Sequence, residues 1–175
     1  EAARREIARA TAVCEREGAS LVVAAESAAE ADMLRQARRL AWQALEVQGT
    51  AKMEDVVVPR SQVAPLLRAI SATAERHGVR CATFGHAGDG NLHPNVIPRS
   101  LDDVVRGREA ILEIAHGVVA MGGAPLAEHG VGRSPMKQAL LRRLYGDAGI
   151  DEMRAVKRAL DPAWKLSADV LFPQA

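Results

Sequence analysis

An α+β fold with a largely antiparallel sheet is predicted for this chain of 175 residues, from three observations. Apolar residues recur at helical spacing in several long segments. Short β-branched runs lie between those segments, and an Asp-Gly pair joins two of the runs closely enough for a hairpin. Strict strand–helix alternation builds parallel sheets, whereas a tight hairpin among the strands argues for antiparallel pairing.

The elements follow in order. Ala3, Ile7, Ala10 and Val13 give an amphipathic helix over 1–17 that stops near Gly18. Leu21-Val22-Val23, bounded by turn-like residues, predicts a strand over 20–25. Ser27 opens one long helix to Leu45, with Met33, Ala37, Leu40, Ala41 and Ala44 on its apolar side. Ala51 to Val58 reads as a strand ended by Pro59. Ser61 caps a helix to His77 whose stripe is Leu66, Leu67, Ile70 and Ala74. The hairpin pairs 79–86 with 91–97, and Ser100 or Leu101 opens a helix to Val119, closed by Gly122-Gly123. Ala124 to Ala127 is a short strand, and helices over 136–145 and 150–160 precede Asp161-Pro162. The middle of this order is that of a ferredoxin-like sheet with helices on one side, followed by a C-terminal helical segment.

Composition bounds the function. Hydrophobic residues make up 48% of the chain but aromatics only 3%, so Ala, Leu and Val must build the core. With 23 basic and 22 acidic residues and no basic block, the chain has no electrostatic footprint for nucleic acid. Cys14 and Cys81 lack zinc-ribbon or CxxC spacing and read as reduced, buried thiols of a cytosolic protein. No apolar run reaches the roughly 18–20 residues of a membrane span. The chain opens on Glu1, already inside a helix, and is expected to be a fragment.

Phe84-Gly85-His86-Ala87-Gly88-Asp89-Gly90-Asn91-Leu92-His93-Pro94-Asn95 carries the chemistry. With Asp89-Gly90 as a two-residue turn, both in left-handed conformation, Ala87 faces Leu92 and His86 faces His93. Directly opposed residues share a face about 4.5–5.5 Å apart, so two imidazoles can reach one divalent ion. Asn95 lies on the same face by alternation. Glu128, in Glu128-His129-Gly130-Val131-Gly132, is the best candidate third ligand, because catalytic metal sites commonly use three protein ligands. His129 is the candidate acid–base group, since an imidazole can exchange a proton near neutral pH. A single histidine is more often a structural residue; this paired arrangement argues otherwise.

The two glycine-rich turns together resemble the C-terminal half of the FAD-linked 2-hydroxy-acid oxidoreductases, a family that includes the glycolate oxidase flavin subunit, D-lactate dehydrogenase and D-2-hydroxyglutarate dehydrogenase. The resemblance runs from about Ala29 to Leu166 and takes in Ala37-Arg38-Arg39, Lys52-Met53-Glu54-Asp55-Val56-Val57-Val58-Pro59 and Ala159-Leu160-Asp161-Pro162. It implies that His86, His93 and Glu128 bind a divalent metal (zinc, iron or manganese) and that His129 is the general base. It implies that Arg38 grips the substrate carboxylate, with Lys52 and Asn95 as further substrate contacts. A guanidinium suits that task because it can pair both carboxylate oxygens. The implied reaction oxidises a 2-hydroxy acid to a 2-oxo acid by hydride transfer to FAD.

On this reading residues 1–175 are one C-terminal domain, with a cap and substrate part over about 1–100 and the metal and base turn with its helices over about 101–175. The FAD-binding domain would precede it, and no dinucleotide fingerprint replaces it here. The implied partners are a small 2-hydroxy acid, an FAD-binding domain or subunit, and an iron–sulfur subunit or other electron acceptor. The implied location is cytoplasmic, or peripheral to the inner membrane through a complex. Several positions depart from the family pattern: Arg35 replaces a tryptophan, Pro135 a lysine, and Ser167-Ala168-Asp169-Val170 the closing Asn-Pro-Gly-Lys. The altered tail keeps open a non-catalytic cap that docks onto a separate flavin subunit. A hydrolytic metalloenzyme using the same His-His-Glu set is the third reading.

Overall fold

The computed structural model describes residues 1–49 and 52–172, with the side chain of Lys52 outside the described residues. The chain divides into two compact units, Glu1–Ala44 and Leu45–Ala175.

The first unit is helical: α1 (Ala2–Arg16), α2 (Ala28–Arg39) and the start of α3 (Ala41–Glu46). Cys14, expected to be buried, is exposed on α1, which buries none of its residues. Ser27 accepts a hydrogen bond from the Glu30 N–H at 3.2 Å, and the Glu30 carboxylate accepts from the Glu26 N–H at 2.7 Å. This is a capping box displaced outward by one residue. The expected helix over 27–45 is in fact two, parted at Leu40, although no glycine or proline marks the break. The expected strand over 20–25 is absent. No strand lies in this unit to pair with it, and Leu21 and Val23 are 79% and 62% exposed. Three apolar residues cannot hold extended structure without a neighbour to complete the hydrogen bonds.

The second unit is the α+β body. Strands β1 (Lys52–Met53) and β2 (Val56–Val57) run end to end along β4 (Asn91–Val96), and β3 (Cys81–His86) lies on the other side of β4. All pairings are antiparallel. Lys52 faces Val96 and Val56 faces Leu92, so β1 and β2 keep one continuous register with β4. Ala51, the expected start of the first strand, is outside the described residues. The expected strand over 124–127 shrinks to one antiparallel bridge, Ala124 to Val57, with N···O distances of 2.9 Å both ways. The sheet therefore runs Ala124, β1/β2, β4, β3, which is the ferredoxin-like order.

Helices α4 (Val63–Arg76) and α5 (Leu101–Ala120) cover one face. Alternation sends Val56, Val58, Leu92 and Val96 into the core they form, against Leu66, Ile70, Ala110, Ile111, Ile114 and Val118. Leu66, Ile70 and Ala74 are buried as expected, but Leu67 is 39% exposed and Thr73 is buried in its stead. Ser61 does not cap α4; it lies in a 3₁₀ turn, Arg60–Gln62, that leads into the helix. Ser100 does cap α5, accepting from the Asp103 N–H at 3.1 Å while Asp103 accepts from the Arg99 N–H at 2.8 Å. Gly107 lets α5 approach the sheet, because a Cβ there would stand 2.7 Å from Val96 Cγ1.

Helix α6 (Pro135–Leu160) is interrupted at Gly146 (φ 69°, ψ 176°), close to the expected division into two. Both halves of α6, the loop before it and the tail form a smaller core of Val131, Leu141, Ile150 and Phe172 with Trp164 packed against it. Among the described residues no helix is long and apolar enough to cross a membrane.

Candidate functional site

The sheet face opposite α4 and α5 is set by register. Asn91, His93 and Asn95 share it on β4, with His86, Phe84 and Ala82 opposite them on β3 and Val57 and Met53 opposite Asn91 and Asn95. The same register continued through the break between β1 and β2 sets Asp55 beside His93.

The hairpin differs from its expected form. Its loop is Ala87-Gly88-Asp89-Gly90, four residues rather than two, and only Gly90 is left-handed (φ +83°). The Gly90 and Asp89 N–H groups both donate to the His86 carbonyl, at 3.1 and 3.2 Å. Asp89 Oδ1 accepts from the Asn91 N–H at 3.0 Å, an Asx turn that uses the aspartate without positive φ. Glycine is required at 90, because a Cβ would lie 2.0 Å from the Val58 carbonyl oxygen. The pairing thus slips by two residues: His86 faces Asn91, and His93 faces Phe84. A slip of two preserves the face, since strand side chains alternate with period two. The two imidazoles meet diagonally, with ring centroids 5.6 Å apart and planes at 87°.

The Val57–Ala124 bridge starts the loop that brings in Glu128 and His129. Glu128 Oε1 stands 3.3 Å from His93 Nε2, 3.5 Å from His86 Nε2 and 3.5 Å from His129 Nε2. Three imidazole Nε2 atoms thus converge on one carboxylate oxygen. His129 stacks on His93 with centroids 4.8 Å apart and planes at 13°. Among the described residues, His86, His93 and Glu128 form one group whose ligating atoms lie within 4.8 Å of one another; Asp55, His93 and His129 form a second.

Asp55 and Asn91 complete the site and were not expected in it. Asp55, 1% exposed, accepts from the His129 N–H at 2.6 Å, the Asn91 amide at 2.8 Å and the Ala127 N–H at 3.2 Å. Burial pushes its carboxyl up. The His129 N–H, the Asn91 amide and the charges of His129 and His93 outweigh that and hold it below the usual carboxylate range. Burial depresses the His93 imidazole, and His129 and His86 add to the effect against the pull of Asp55 and Glu128. Burial therefore favours the uncharged ring, in which one nitrogen carries a lone pair. The signal for Asp55 was available: a carboxylate in a run otherwise reading as an apolar strand, on the parity of the histidine face.

Asn95 is fully buried. Its amide donates to the His93 carbonyl at 2.6 Å and the Ala82 carbonyl at 3.1 Å, leaving Oδ1 without a partner. What it can offer a ligand is an acceptor. Arg38 lies in the last turn of α2, in the first unit. Lys52 pairs with Val96 through its backbone, and its side chain is outside the described residues.

The fold and the site together define a ferredoxin-like α+β domain that gathers three histidines and two carboxylates at the sheet face opposite α4 and α5. Residues 1–170 match the family of FAD linked oxidases, C-terminal domain, and the chain belongs to that family. It is similar to the glycolate oxidase subunit GlcD of Bacillus subtilis, 38% identical over 98% of this chain and 37% of the relative. The D-lactate dehydrogenase of Archaeoglobus fulgidus is 31% identical over 83% of this chain and 32% of its own length. The probable mitochondrial D-lactate dehydrogenase of Danio rerio is 34% identical over 74% and 27%. The chain thus spans about a third of the curated relatives it matches.

Proposed function

We propose that this chain is the substrate- and metal-binding portion of a flavin-dependent 2-hydroxy-acid dehydrogenase or oxidase of the glycolate or D-lactate type. The observation that carries this reading is the convergence of His86, His93 and Glu128, with His129 beside them. The distances fit a divalent ion. Ligands about 2.0–2.1 Å from a tetrahedral zinc stand about 3.3 Å from one another, and Glu128 Oε1 is 3.3 and 3.5 Å from the two ligand nitrogens. Two imidazoles and a carboxylate suit zinc, iron or manganese.

The metal would supply Lewis-acid polarisation of the substrate's hydroxyl and carboxylate oxygens. FAD, held by a domain outside this chain, would supply the hydride acceptor. The chain's own residues do the rest. His129, half-exposed and stacked on the buried His93, takes the hydroxyl proton at Nε2. Asn95 offers its Oδ1 acceptor, and Arg38 and Lys52 are assigned to the substrate carboxylate and its surroundings.

Two measurements on the 175-residue chain test this reading. Zinc titration should give one site, lost in His86→Ala; stoichiometric zinc retained by that variant would refute the ligand set. With glycolate or D-lactate and a dye acceptor, the chain should be inactive until a flavin domain is supplied. Turnover without one would sink the division of labour. The non-catalytic cap predicts no metal binding in the first experiment.

A further inference from the structure

We infer that Asp55 is a positioning residue, holding His93 through Nδ1 and His129 through its backbone so that both Nε2 atoms face Glu128. This rests on the metal reading above and names a residue that reading does not use.

The argument is an inventory of lone pairs. A carboxylate offers about four acceptor sites. At Asp55 Oδ2, two are taken by the N–H groups of His129 and Ala127, at 2.6 and 3.2 Å. At Oδ1, one is taken by the Asn91 amide at 2.8 Å. The remaining site faces His93 Nδ1 at 3.5 Å. That nitrogen is buried and has no hydrogen bond of its own. A ring N–H at Nδ1 pointing at Oδ1 satisfies both atoms and leaves Nε2 as a bare lone pair toward Glu128 Oε1, 3.3 Å away. The opposite tautomer would set the Nδ1 lone pair against Asp55 Oδ1 where both are buried, whereas the Nε2 lone pair meets Glu128, which is half-exposed and free to turn its oxygen to solvent or to a metal. It would also place the proton where a ligand atom is needed. With its acceptor sites engaged by N–H groups, Asp55 serves the metal from behind the ligand rather than as one. Ligating histidines commonly donate their other ring nitrogen to a carboxylate in this way.

The same side chain fixes the base. The 2.6 Å bond from the His129 N–H ties the 127–129 loop to the strand, and His129 Nδ1 lies 3.9 Å from Oδ2, so the same carboxylate sets where the ring stands. One carboxylate therefore couples two roles. It aims a ligand and it places the base.

The test begins with metal-free wild-type chain labelled with ¹⁵N-histidine at pH 8, where ordinary imidazoles, with pKa about 6.5, are neutral. Long-range ¹H–¹⁵N correlation, with His93 assigned by comparison with His93→Gln, should find its proton on Nδ1. The His129 backbone amide should resist hydrogen exchange although it lies in a loop. In Asp55→Asn, the tautomer preference should be lost, the His129 amide should exchange faster, and zinc affinity should fall about 10–100-fold. A wild-type His93 protonated on Nε2 overturns the inference whether or not the variant folds. So does a folded Asp55→Asn chain that binds zinc as tightly as wild type. Failure of wild type to bind zinc would instead refute the metal reading, while the tautomer and the exchange of the His129 amide still decide the role of Asp55.

Discussion

Asp55 and Asp161 are each the centre of a small polar network, and the two networks differ in what they leave over. Asp161 accepts from the Lys157 ammonium at 2.5 Å and from the Leu166 and Lys165 N–H groups at 2.9 and 3.1 Å. Asp55 accepts three bonds of similar length. The groups bonded to Asp161 are tied in further: Lys157 also reaches the Leu166 carbonyl at 2.6 Å, and the Trp164 N–H donates to the Asp161 carbonyl at 2.9 Å. Around Asp55, by contrast, Asn91 Oδ1, His93 Nδ1 and Asn95 Oδ1 are buried without hydrogen bonds. A carboxylate network alone does not mark a site. Buried polar atoms left unpaired beside it do, because folding would not otherwise sustain a cost of about 1–3 kcal/mol for each.

The largest expected effect strikes both networks together. Leu66→Ala, at a fully buried position beneath the sheet, should cost about 2–5 kcal/mol of stability. In a chemical melt the site and the tail of the second unit should then unfold at the same lowered midpoint. Separate transitions would show that the two networks are not parts of one cooperative body. His93→Leu should separate them instead. Zinc affinity should fall more than about 100-fold, beyond the range for an outer-shell partner. Metal-free stability should stay within about 1 kcal/mol of wild type, because the 3.5 Å contact of His93 Nδ1 with Asp55 is long and Asp55 keeps its three other donors. A metal-free chain destabilised by several kcal/mol would mean that the histidine face contributes to folding as the Asp161 network does.

What the sequence made legible follows from the range of the forces involved. Helices α1 and α5 are set by local spacing and, for α5, by a serine cap, and both stand where spacing placed them. The segment 20–25 and the break at Leu40 were misread because their fate depends on neighbours that no local pattern announces. The hairpin lies between these cases. Its register slipped by two, since Asp89 made an Asx turn rather than a left-handed turn pair. The face survived because period two tolerates that slip, so His86 and His93 still meet. Asp55 is 36 residues from Asn91 in sequence, and only the pairing of β2 with β4 brings it beside His93 and the 127–129 loop.

The smallest expected effect belongs to Asp161 and sharpens the comparison by acid. The Lys157 hydrogen bond, aided by the Leu166 and Lys165 N–H groups and by the charge of Lys157, holds its carboxyl below the usual range despite burial. The folded state therefore prefers the ionised form more than the unfolded state does. The stabilisation is complete above the unfolded carboxyl value of about 3.9 and is lost as pH falls through the lower folded value. Acid below about pH 4 should loosen the segment in which Trp164 packs on Phe172, whose rings are 5.8 Å apart. Trp164 emission, read in a Trp42→Phe chain, reports the change directly. Asp161→Asn should loosen the same segment at neutral pH, since the neutral amide cannot hold the Lys157 ammonium, and should remove the acid step. An acid step of the same size in that variant would place its origin elsewhere. Asp161 would then be only one member of a network whose strength lies in its backbone bonds.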